Sequence, residues 1–136
     1  MNYIPINIKT HYELLSSLIK IEDLITFAKT NNITALGITD SNMFSCMEFF
    51  NACKTNNIKP IIGVKFEIEN LNMTLYAENY NGYINLLNLV SIRNTSTLTK
   101  EEITKHSNNL ICVTTDYEHH INYIEIYDKV YLSYEN

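Results

Sequence analysis

Apolar residues along this chain recur at two different periods. Ile4, Ile6 and Ile8 alternate with Pro5, Asn7 and Lys9, which predicts a strand with one buried and one polar face. From Ile21 to Asn31 the spacing lengthens: Leu24, Ile25, Phe27 and Ala28 form a helical stripe, Glu22 and Asp23 suit the N-terminal dipole, and Asn31-Asn32 is a stop. Residues 34–39 (TALGIT) predict a short buried strand. A second helix is expected over 43–55, capped by Asp40, Ser41 or Asn42, with Met43, Cys46, Met47, Phe50 and Cys53 inward. Lys59-Pro60 turns into a strand over 61–68, and a hairpin-like turn at 70–72 leads to another at 73–77. Ile84, Leu86, Leu87 and Val90 predict a helix over 83–90. Thr99 and Glu102 form a capping-box pattern opening a short helix to Lys105. Strands at 110–114 and 129–133 complete the pattern.

Strand and helix therefore alternate, with one local hairpin. That predicts an α/β fold with a mainly parallel sheet and flanking helices. Glycines 37, 63 and 82 are far apart, so no glycine-rich phosphate loop of the Rossmann or Walker type is present.

Composition narrows the picture. With 136 residues, 46% hydrophobic and 18% charged, the chain has the size and balance of one globular domain. Ten Lys and Arg residues are scattered among fifteen Asp and Glu residues, for a net charge of −5. Duplex binding relies on clustered cations that release counterions from phosphates, so autonomous DNA binding is not expected. No apolar run approaches the roughly 20 residues of a membrane span, and the N-terminal stretch does not read as a signal peptide. The three cysteines lack metal-type spacing, and Cys46 and Cys53, seven apart on a predicted helix, read as core residues. The expectation is a reduced, cytoplasmic protein.

Four segments, in order, carry a family resemblance. Residues 6–25 (INIKTHYELLSSLIKIEDLI), 35–63 (ALGITDSNMFSCMEFFNACKTNNIKPIIG), 75–91 (LYAENYNGYINLLNLVS) and 103–115 (ITKHSNNLICVTT) are similar to the opening of the polymerase-and-histidinol-phosphatase (PHP) domain. The version they resemble is the N-terminal domain of Gram-positive-like bacterial DNA polymerase III alpha subunits. The second segment is the most specific of the four. The resemblance implies a distorted (β/α)7 barrel, of which residues 1–136 are the N-terminal part and a single partial domain.

In active members of that family, histidines and carboxylates at strand ends bind a cluster of metals that activates water for phosphoester hydrolysis. Carried over residue by residue, the first His-x-His falls on Asn7 and Lys9, and an Asp-His pair becomes Asp40-Ser41. A glutamate falls on Lys65. A neutral amide is a poor ligand and an ammonium has no lone pair. Among these vestigial positions only Asp40 keeps a ligand type, so no metal and no catalytic residue is expected. His11, Asp40 and Glu67 are the candidates for a residual site, and Lys9–Glu67 or Lys65–Glu67 are candidate ion pairs where metals would sit.

The other notable residues have structural readings. His119-His120 are adjacent and diverge on regular structure, so exposed loop positions are expected. His106 suits a helix C-terminus. Ser16, Ser17 and Ser41 lack a neighbouring base for nucleophilic catalysis. Tyr76, Tyr80 and Tyr83 have no interleaved cations and read as core and rim rather than base-stacking platforms.

By resemblance, the parent would be a DNA-directed DNA polymerase of chromosome replication that uses Mg2+, contacting DNA through its other parts. This segment would have no cofactor of its own and a structural role. Its partners would be the rest of the alpha subunit and, through the parent, a proofreading exonuclease and a sliding clamp. The alternatives are an active metal-dependent phosphoesterase or proofreading nuclease, and a stand-alone interaction module derived from a PHP scaffold.

Overall fold

The computed structural model describes residues 3–134. They form two compact units, one ending at Gly63 and one beginning at Val64.

The first unit is built as an extended N-terminal segment, then helix, strand, helix and the opening of a second strand. Helix α1 (Ile21–Thr30) buries Ile21, Leu24, Ile25 and Ala28, while Glu22 and Asp23 lie in its first turn and Lys29 in its last. Phe27, expected on the inner stripe, is exposed; it lies one position from Ala28, around the helix from the buried face. Strand β1 (Ala35–Ile38) is buried throughout. It pairs in parallel with the opening of β2 (Lys59–Ile68), Ala35 opposite Lys59 through Ile38 opposite Ile62. On its other side the N-terminal segment runs parallel to it. Ile8 bridges Ile38, Ile8 N–H donates to Gly37 O at 3.2 Å, and Gly37 N–H donates to Pro5 O at 2.8 Å. The expected first strand is thus reduced to a single bridge, and Ile4 and Ile6 remain exposed.

Helix α2 (Cys46–Thr55) begins three residues later than predicted and buries Cys46, Phe49 and Cys53. Met47 and Phe50, expected inward, are exposed. The predicted capping also fails. Ser45 holds the N-cap position without a side-chain cap, and the Asn42 side chain instead accepts from Phe44 N–H in a local turn. Gly37 is required by close packing: a Cβ there would lie 2.6 Å from Ile6 Cα and 2.6 Å from Ile6 O.

The second unit contains the rest of β2, then β3 (Leu71–Ala77), α3 (Tyr80–Thr95), α4 (Lys100–Lys105), β4 (Leu110–Thr114), α5 (His120–Ile124) and β5 (Lys129–Leu132). Its strands neighbour one another in chain order. The turn at Glu69 and Asn70 joins β2 to β3, with Glu69 at φ 52°; so short a link serves antiparallel neighbours. β3 and β4 are antiparallel, whereas β4 and β5 are parallel across α5. The fold is α/β, with parallel pairs in both units and these antiparallel contacts in the second.

Helix α3 is longer than its predicted core because Asn79 caps it, accepting from Gly82 N–H at 3.1 Å. Thr99 Oγ1 likewise accepts from Glu102 N–H at 3.3 Å, as the capping-box pattern predicted. Helix α5 had no counterpart in the sequence reading: His120 opens it rather than lying in a loop, although both His119 and His120 are exposed as expected. His106 takes the C-cap of α4, near Glu102 at 4.0 Å.

Candidate functional site

The first unit gathers its polar side chains where its parallel strands end. Thr10 follows the N-terminal strand, and Thr39 and Asp40 follow β1, so all three lie beyond the carboxyl ends of neighbouring strands. In open α/β sheets that edge is the usual binding crevice. Here it is filled by a hydrogen-bonded cluster. Asp40 Oδ1 accepts from Thr10 N–H at 2.7 Å, and Oδ2 accepts from the hydroxyls of Thr10 and Ser45, both at 2.6 Å. Asp40 is 1% exposed, and Thr10 and Ser45 are fully buried. Among the described residues no buried side-chain nitrogen or oxygen lacks a hydrogen-bond partner. The buried carboxylate is therefore satisfied by neutral donors.

The thiol of Cys46 is pushed up to about 12, first by burial and then by the charge of Asp40. Burial also raises Cys53, to about 11. Both thiols are buried and free of disulfides, which suits small core residues rather than exposed nucleophiles.

An outer layer surrounds this cluster. Glu13 accepts from Ser41 through both carboxylate oxygens, one from its backbone N–H and one from its hydroxyl at 2.6 Å. Thr39 donates its hydroxyl to Asn7 Oδ1 at 2.6 Å. Tyr12 donates its phenol to Glu48 at 2.6 Å, which raises the Tyr12 pKa because a neighbouring carboxylate favours the neutral phenol. Asn42 donates its side-chain amide to Tyr12 O at 3.1 Å.

The expected site residues separate into distinct situations. Asn7 and Lys9 lie on the N-terminal strand and are exposed; the Lys9 carbonyl accepts from Ser17 Oγ at 2.6 Å. His11 is exposed and its ring lies 4.4 Å from that of Tyr12. Lys65 and Glu67 belong to the second unit, exposed on one face of β2 while Val64, Phe66 and Ile68 are buried. Lys65 O accepts from Arg93, whose guanidinium lies 5.1 Å from the Phe66 ring centroid. Lys65 and Glu67 form no ion pair in this structure. Lys9 and Glu67 fall in different units, as do His11 and Glu67. Among the described residues, no three His, Cys, Asp or Glu side chains gather as a metal-binding group.

Thr10 and Ser45 in the inner cluster, and Tyr12, Glu13, Thr39 and Glu48 around it, were not candidates from the sequence. Thr10 and Asp40 lie thirty residues apart, so no local pattern marked the pair.

A second polar cluster lies in the second unit, just past β4. Asp116 accepts from His119 N–H at 3.2 Å and faces His119 Nδ1 at 3.1 Å through both carboxylate oxygens. The Tyr123 hydroxyl reaches the same carboxylate at 3.3 Å and also accepts from Asn72 N–H at 3.0 Å. His120 Nδ1 lies 2.9 Å from Tyr117 O.

An α/β chain with polar residues collected at strand ends belongs to a class of folds that hosts many unrelated activities. The comparison with known families is specific: the PHP domain model matches residues 6–136, and the chain belongs to that family. Among curated relatives, it is 43% identical over 86 residues to DNA polymerase III subunit alpha of Ureaplasma parvum serovar 3, covering 62% of this chain and 9% of that protein. It is 32% identical over 133 residues to DNA polymerase III subunit alpha of Staphylococcus aureus strain Mu50, covering 91% of this chain and 12% of that protein. The strain COL protein of the same name is 36% identical over 116 residues, covering 79% and 11%. The chain thus spans only 9% to 12% of the length of these relatives. It is homologous to the N-terminal region of DNA polymerase III subunit alpha. Among the described residues no helix is long and apolar enough to cross a membrane.

Proposed function

We propose that this chain is a structural PHP segment of a replicative DNA polymerase III alpha subunit in which hydrogen bonds hold the strand ends where active relatives hold metals. The observation that carries this reading is the Asp40 cluster. Both carboxylate oxygens are engaged by Thr10 and Ser45 in a fully buried setting. Recruiting Asp40 to a metal would orphan donors that have no other buried partner. The Asn7 amide oxygen is engaged by Thr39, and a protonated Lys9 repels a cation. These residues do not fit a divalent-metal cluster.

The parent would be a cytoplasmic DNA-directed DNA polymerase acting in chromosome replication. Its Mg2+ and its contacts with DNA, proofreading exonuclease and sliding clamp would belong to parts of the polypeptide outside these residues. The segment's own contribution would be to pack against and stabilise that larger body.

Thermal unfolding in the presence of Mn2+, Zn2+ or Mg2+, each with a chelator control, tests the absence of a native metal site. A native-state ligand at about 100 times its dissociation constant adds about 2.7 kcal/mol. The expected result is an unchanged melting temperature with every ion. A rise that the chelator reverses would overturn the reading in favour of a rebuilt phosphoesterase site.

A further inference from the structure

The loop that joins the N-terminal strand to α1 is built to display leucines. Leu14, Leu15 and Leu18 are 84%, 108% and 95% exposed, so their side chains are essentially free of the protein that carries them. Leu15 also sits at φ 63°, a left-handed conformation that a leucine adopts only under constraint. The constraint is visible. His11 N–H donates to Ile19 O at 2.8 Å, closing the loop at its base, and Ser17 Oγ donates to Lys9 O at 2.6 Å. Glu13 is tied to Ser41 through both oxygens, and Tyr12 to Glu48 on α2. Leu14 and Phe44 line one pocket of about 570 Å³. Met47 and Phe50, three residues apart on α2, are exposed as well. A loop held this firmly is not exposing leucines through looseness.

The chemistry of the surface restricts what can cover it. Residues 14–19 (LLSSLI) carry no charge, so they supply none of the cations on which affinity for a phosphate backbone rests. An exposed apolar patch of this kind on a soluble domain marks an interaction site, and preorganisation lowers the ordering cost of binding. The matched relatives carry most of their length outside the matched region, which covers only 9% to 12% of each. A cover supplied by the same polypeptide is present at high effective concentration and needs little affinity of its own. The geometry points to the Thr10–Ile19 loop, with Phe44, Met47 and Phe50, as the apolar surface on which the remainder of the polymerase polypeptide docks. This inference rests on the reading of the chain as a segment of an alpha subunit.

Hydrogen exchange of residues 14–19, in this chain alone and in the intact alpha-subunit polypeptide that carries it, tests the assignment. The expected result is exchange at least tenfold slower in the intact subunit than in the isolated chain. A combined Leu14→Ser, Leu15→Ser, Leu18→Ser variant should leave the melting temperature of the isolated chain unchanged and lower that of the intact subunit. If the reading frame stops at Asn136, both the docking assignment and the underlying function fall. If it continues into a polymerase but the loop exchanges equally fast in both contexts, the docking assignment alone falls. A dimer of the isolated chain that the triple variant dissolves would make a second copy the occupant and overturn the inference.

Discussion

Two aspartates, one in each unit, show how differently the same side chain is used. Asp40 is buried and meets three neutral donors, the Thr10 N–H and the Thr10 and Ser45 hydroxyls. Asp116 is only partly buried and meets His119 and Tyr123. A carboxylate out of water must have its lone pairs satisfied or it costs several kcal/mol, whereas water can replace most partners of an exposed one. The first cluster is therefore a structural fixture that cannot be loosened gradually. The second organises a short turn and helix, and solvent sets its strength.

The sharpest way to break this contrast is Asp40→Ala. It leaves two buried hydroxyls and one backbone N–H without an acceptor, at about 1–3 kcal/mol each before relaxation or water entry. A total loss of about 3–5 kcal/mol is expected in urea denaturation. A loss under about 1 kcal/mol would mean that the cluster is not what fixes these strand ends.

Gly37→Ala probes the same fixture from the backbone. The new methyl carbon would meet Ile6 Cα and O at 2.6 Å, atoms that cannot swing aside as a side-chain tip can. The N-terminal strand must shift, and Thr10 is carried on that strand. Overpacking of this kind costs about 1–3 kcal/mol. The effect should be non-additive with Asp40→Ala, because the shift already weakens the bonds that Asp40→Ala removes. A double variant whose loss equals the sum of the single losses would show that strand placement and the Asp40 cluster are independent.

The sequence revealed the elements better than the cluster they support, for physical reasons. β4 was legible as Leu110–Thr114, and Thr99 was legible as a cap, because both signals are local: a short apolar run and a residue spacing of three. In α2, Cys46, Met47, Phe49, Phe50 and Cys53 are apolar around so much of the helix that periodicity did not select Phe49 over Phe50 as the core residue. Helix α5 has no side-chain cap and spans only His120–Ile124, too short for a helical period to register. The resemblance carries vestigial ligand positions onto Asn7, Lys9, Asp40, Ser41 and Lys65. The Thr10–Asp40 bonds span thirty residues, and such a separation leaves no trace in local pattern. The exposed Leu14, Leu15 and Leu18 were equally hidden, since a leucine in a sequence looks the same whether it is buried or displayed.

The smallest expected effect belongs to Asp116, and its sign follows from its surroundings. Desolvation pushes its pKa up, but the backbone N–H, ring and charge of His119 and the hydroxyl of Tyr123 together outweigh that and hold it below the usual carboxylate value. An acid whose folded pKa is depressed adds stability above its unfolded pKa, and that stability is lost as pH falls through the folded value. Asp116→Asn should therefore be slightly less stable than the parent above about pH 4, with the gap closing below it. Carbon NMR of the Asp116 carboxyl should show a midpoint below that of an unstructured aspartate, and His119→Ala should move it back up. A midpoint at the unstructured value would show that solvent has already dissolved the pairing. The two aspartates would then differ in whether they have partners at all, rather than in how firmly those partners are held.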